Sequence, residues 1–233
     1  LWCWPHWRPR WLHWIPVLSW GREMRLVLAF ALCSCSSAVT QPPEPADAGV
    51  PFAVAVVDVT YGQGAGFGQD ELPGIVLGPP QPKGRNQGST HVLSLGRNGT
   101  ITLQMGADIT NGPGPDFVVF ENAFLVDGTT EVFVEPGQVS VSDDGVLFFD
   151  FPCDATAAPY AGCAGITPTL AHDNSLSPTN ADEAGGDAFD LDLVGLSRAR
   201  FVRITDQSST APFSPTAGFD LDAVSVILTR TAF

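Results

Sequence analysis

Beyond residue 50 the chain shows almost no helical period. Apolar positions come in short runs rich in Val, Ile and Phe, and Gly, Pro, Asp and Asn separate them. That pattern predicts strands. The runs are 52–59, 91–95, 100–105, 117–121, 132–134, 138–142, 148–151, 201–204 and 223–228. Asp143-Asp144-Gly145 and Asn98-Gly99 supply turn signals of the kind that close hairpins. Many short strands with regular turns predict an all-β protein, an antiparallel β-sandwich in a single domain over 51–233. Gly and Pro concentrate in two connections, 62–88 and 106–115. Long loops on a rigid sandwich are where binding residues usually sit. The alternation Gly62, Gly64, Gly66, Gly68 reads as a mobile loop.

The first fifty residues follow another pattern. All six Trp fall between Trp2 and Trp20, and the first Met is Met24. Residues 1–23 read as upstream translation outside the working protein. Residues 24–35 have the shape of a signal peptide: Arg25, then the apolar run 26–32, then small residues. Leu32-Cys33-Ser34-Cys35 resembles a bacterial lipobox, with Cys35 as the lipidated residue; simple cleavage after Ser37 or Ala38 is the alternative. Residues 36–50, with Pro42, Pro43 and Pro45, read as an extended tether. The expectation is an exported protein, an outer-membrane or cell-surface lipoprotein, or a secreted one, touching the membrane through its lipid anchor only.

Charge narrows the partners. The chain carries 25 acidic and 11 basic residues, a net −14. Removing Glu23, Arg8, Arg10, Arg22 and Arg25 with the leader takes that to −17. Such a surface excludes nucleic acid as a partner. Cys153 and Cys163 remain as an even pair, which in an exported protein predicts a disulfide closing a short loop. Enzyme signatures are missing: there is no Gly-x-Ser-x-Gly, no His-Glu-x-x-His, and Lys83 is the only lysine.

Three motifs carry a resemblance. Residues 139–145 with Phe148 look like the Ser-Asp-Gly hairpin of discoidin-type, galactose-binding-like jelly rolls. Ala199-Arg200-Phe201-Val202-Arg203-Ile204 looks like their Ala-Arg-Tyr-Val-Arg-Ile strand. Residues 218–226 look like the closing strand of related carbohydrate-binding jelly rolls, and 93–103 fits an early strand pair. The wider pattern is similar to bacterial cell-surface lipoproteins of no assigned activity. The resemblance implies a jelly roll and a structural Ca²⁺. It departs from sugar-binding relatives in having no Trp after residue 20.

The acids group near turns: Asp116, Glu121 and Asn122; Asp187, Asp190 and Asp192; Asp220 and Asp222. Alternation puts Asp220 and Asp222 on one face with Val224 and Val226. Buried carboxylates must be paired, bonded or metal-bound, and Ca²⁺ takes six to eight oxygens. These eight residues are therefore candidate Ca²⁺ ligands. The competing reading is backbone capping, or a pair with Arg200 or Arg203. Tyr61, Phe67, Arg85, Asn86 and Tyr160 are candidate ligand contacts, in loops 62–88, 106–116 and 154–187. The expected function is a non-enzymatic binding module for a glycan or another envelope component. The alternatives are a polysaccharide hydrolase with Asp116 and Glu121 as its acid pair, and a protein-binding adhesin or scaffold.

Overall fold

The computed structural model describes residues 49–171, 175–208 and 218–228. They all lie in one compact unit, Gln41–Phe233. The upstream segment, the signal peptide and Cys35 lie outside the described residues, as do His172 and all of the tether but Gly49 and Val50.

Eleven strands are described: β1 (Ala53–Thr60), β2 (Leu93–Ser94), β3 (Thr100–Thr110), β4 (Phe117–Glu121), β5 (Phe124–Leu125), β6 (Val132–Phe133), β7 (Gly137–Ser142), β8 (Phe149–Asp150), β9 (Asp187–Phe189), β10 (Arg198–Asp206) and β11 (Asp220–Val226). They form a five-stranded sheet, β1-β3-β10-β7-β8, a four-stranded sheet, β2-β11-β4-β9, and the small pair β5-β6. Every strand pair is antiparallel. The fold is an all-β sandwich. No helix among the described residues is long and apolar enough to cross a membrane.

Alternation explains the layers. Ile101, Leu103, Val139, Val141, Val202 and Ile204 point from the five-stranded sheet into one core with Phe117, Val119, Leu221 and Val224 of the other. The residues between, Val118, Phe120 and Ala223, face outward, where Ala171, Leu176 and Ala184 cover them in a second apolar cluster. The long segment after the disulfide is therefore partly a cover. Leu228 N–H donates to Thr179 O and Ser225 Oγ to Pro178 O, which hold it down.

Two elements differ from expectation. β3 does not stop near residue 105; it runs to Thr110. Its pairing with β10 steps from Ala199↔Ile109 to Phe201↔Gln104, so residues 105–108 bulge opposite Arg200. Loop 62–68 is tied to its neighbours: Gly62 N–H donates to Leu95 O, and Ser94 N–H to Phe67 O.

One side of the sandwich is closed by β1. Phe52 bridges Ser225 of the four-stranded sheet, and the strand then pairs with β3 of the other. On the opposite side the edge strands β8 and β9 are bridged by aromatic rings. Phe151, just past β8, meets Phe189 of β9 edge-on at 5.0 Å, and both meet Phe117.

Candidate functional site

One end of the sandwich collects β1's exit, β2, the start of β3, the end of β4, the start of β7, the end of β10 and the start of β11. Four buried carboxylates stand there: Glu121, Glu135, Asp206 and Asp220, none more than 6 % exposed. Glu121, Glu135 and Asp206 each accept a backbone N–H from another segment, and Asp220 meets the side chains of Ser94 and Asn122. Asp206 is the most connected. Its Oδ2 accepts from Asn98 N–H at 2.9 Å, and its Oδ1 from Phe219 N–H at 2.8 Å and from the Ser208 N–H and hydroxyl. Glu135 Oε1 accepts from Gly218 N–H at 2.7 Å. Glu121 Oε1 takes Asp220 N–H at 3.4 Å.

Crowded burial shifts Glu121, Glu135 and Asp220. Burial pushes Glu121 well above the usual carboxylate range, and the charges of Asp220 and Glu135 add to it. Burial lifts Glu135 to about 8 against the pull of Gly218 N–H. It lifts Asp220 to about 6, with Ser94 and Asn122 drawing it down. Glu121 Oε2 and Asp220 Oδ1 are buried with no hydrogen-bond partner. Protonation at neutral pH relieves such a cluster.

The eight proposed Ca²⁺ ligands do not gather as one set: Glu121, Asn122 and Asp220 meet at the acidic end, while Asp116, Asp190 and Asp192 lie at the other end of β4. Asp116 and Glu121 stand at opposite ends of β4, about 17 Å apart along an extended strand. That separation also removes them as an acid pair for hydrolysis, which needs about 5–9.5 Å. Asp116 accepts from Gly112 N–H and Leu191 N–H. Asp190 caps the 3-10 turn Leu191–Val194 by accepting from Asp192 N–H. Asp192 accepts from the Asn111 amide. Asn122 accepts from Ser89 N–H. Asp187 accepts from three successive N–H groups, those of residues 165–167. Asp222 accepts from Gln81 N–H with both oxygens at 3.0 Å, and burial lifts it to about 7.

Asp220 and Asp222 do not share a face with Val224. The pairing of β11 with β4 shifts between Leu221 and Ala223, and this bulge breaks the alternation. Nor do they pair with arginine: Arg200 goes to Asp143, and Arg203 stacks on Phe148 at 3.6 Å. Among the described residues, no three His, Cys, Asp or Glu side chains converge to hold a metal ion. Most of these acids act as clasps on backbone N–H groups.

The candidate contact residues fare differently. Tyr61, Phe67, Arg85 and Asn86 are exposed, and their loops meet at the acidic end. Gly62 and Phe67 bond to the strip around β2, and Arg85 O accepts from Leu125 N–H. Tyr160 is half-buried in the disulfide loop at φ 57°. Cys153 and Cys163 are bonded to each other as expected. Ala164 pairs with Gly137, tying that loop to the start of β7.

Glu135 and Asp206 are the residues sequence reasoning missed as members of this end. Glu135 precedes Pro136-Gly137 and reads as an ordinary turn acid. The signal that finds both is three-dimensional: they meet the start of β11 across the sandwich.

No family model matches the chain, and no curated protein matches it.

Proposed function

We propose that the protein is a non-enzymatic binding module, a galactose-binding-like jelly roll that presents one end of its sandwich to a glycan or another envelope component. The supporting observation is the clasped loop end. Buried acids fix loops 81–89, 96–98 and 218–220, backbone bonds tie 62–68 to the strip around β2, and Tyr61, Phe67, Arg85 and Asn86 stay exposed beside them. Loops already ordered lose little entropy on binding, which favours recognition. Export and a lipid anchor at Cys35 belong to the same reading and place the module at a cell surface.

The test is retention of the full chain on immobilised envelope and plant glycans, compared with a Tyr61→Ala/Phe67→Ala/Arg85→Ala variant of unchanged melting temperature. Retention that the variant loses supports the reading. Absence of retention on every glycan, or retention the variant keeps, overturns it.

A protein-binding adhesin is the second reading. Val146 and Leu147, at the β7–β8 hairpin tip, are 84 % and 61 % exposed. A protein partner would cover them.

A further inference from the structure

A concavity lies on the flank of the sandwich. It is a half-open cavity of about 400 Å³ between the edges of the two sheets. Phe151 and Phe189 form its floor, Ile166 and Ala188 line its walls, and Leu193, 66 % exposed, stands at its rim. The disulfide loop supplies the remaining wall through residues 161–163. The volume falls in the range of small-ligand sites, roughly 300–1,000 Å³.

Asp187 is the only ionisable side chain lining it among the described residues. Its Oδ2 receives all three N–H bonds from residues 165–167, at 2.7, 3.0 and 3.4 Å. Burial raises the Asp187 carboxyl above its ordinary value, while those donors draw it back towards the ionised form and lock the carboxylate in place. Gly165 makes the clasp possible. Its φ is +82°, and a Cβ there would fall on Glu135 O. The wall is equally close: Gly162 lies so near Pro152 O that a Cβ would overlap it.

A fixed carboxylate against an apolar, aromatic floor lacks a counter-charge. A cation with an apolar body supplies one. A net −14 chain draws cations towards its surface. A plain sugar suits the cavity poorly, because Phe151 and Phe189 are only 2 % and 4 % exposed and offer no open stacking platform. We propose that this flank cavity is a binding site for a small organic ammonium with an apolar body, held by Asp187 and the Phe151–Phe189 floor. The site goes beyond the binding function proposed for the loop end.

The test is titration calorimetry on the full, disulfide-bonded chain with benzyltrimethylammonium, benzyl alcohol and benzoate. The expected result is saturable one-to-one binding of the ammonium, about tenfold or more tighter than either other probe. Asp187→Asn removes the charge and should abolish that preference. Leu193→Arg places a positive charge at the exposed rim without touching the clasp, and should weaken the ammonium alone. It decides the matter if Asp187→Asn fails to fold. Equal binding of the three probes, no saturable ammonium binding, or full ammonium affinity in a folded Leu193→Arg variant would overturn the proposal. A glycan result at the loop end leaves this outcome untouched.

Discussion

Asp206 shows what one carboxylate does in this protein. It holds the turn before β3, the exit of β10 and the entry of β11 through four hydrogen bonds. Asp206→Ala strands several buried donors, each costing about 1–3 kcal/mol. The expected loss is therefore roughly 3–5 kcal/mol, read as a lower urea midpoint at unchanged slope. Asp127→Ala, at an exposed turn, is the control and should stay within about 0.5 kcal/mol. A comparable loss in both would mean that clasping is not what Asp206 contributes. The capping alternative was legible in the sequence for Asp190, because an Asp two residues before an N–H is a local signal. It was not legible how far the clasps reach. Asp206 and Phe219 are 13 residues apart, and Glu135 and Gly218 are 83 apart. No local pattern encodes such pairs.

Strands were legible where burial is two-sided or alternation is clean. β4 reads directly from Phe-Val-Val-Phe-Glu, because it is buried on both faces between its core and its cover. β9 escaped notice because three residues beginning with Asp187 carry too little pattern. The second half of β3 was hidden by Gly106 and the polar Asp108, both in the bulge. The disulfide loop was legible from cysteine count alone. It closes ten residues of sequence separation. Replacing both cysteines with serine should cost about 2–3 kcal/mol on the chain-entropy model. Gly165→Ala belongs to the same element. It strains a left-handed backbone and drives a methyl into Glu135 O, so we expect a loss of at least about 1–3 kcal/mol. Thermal or urea unfolding measures both, and a neutral Gly165→Ala would show that the Asp187 clasp is slack.

The whole molecule gathers carboxylates whose folded state prefers a proton. Glu135 sits at about 8, Asp222 at about 7 and Asp220 at about 6, with Glu121 higher than usual as well. The unfolded chain releases these protons near pH 4. Between those values the folded state binds more protons, so stability falls as pH rises. Half-buried Asp143 and exposed Asp144 and Asp154 are shifted down and act oppositely below about pH 4. Maximum stability is therefore expected near pH 4–5, with a decline of the order of a few kcal/mol by pH 8. Melts across that range check the sign; a rise towards pH 8 would contradict the buried-acid account. Melts at pH 7.5 with Ca²⁺, Mg²⁺ or chelator test the calcium expectation. A set of acids committed to backbone N–H groups predicts no calcium-specific shift, and a clear one would restore a site at Glu121 and Asp220.

The straddling strand β1 has a mechanical meaning as well. Val226 N–H donates to Pro51 O, and Gly106 N–H to Phe52 O, so the chain enters by gripping both sheets at once. Tension arriving from the N-terminal side is divided between two layers at its point of entry. Freeing the strand demands sliding against β3 and parting from β11 together, whereas a strand attached to one sheet could be peeled off bond by bond.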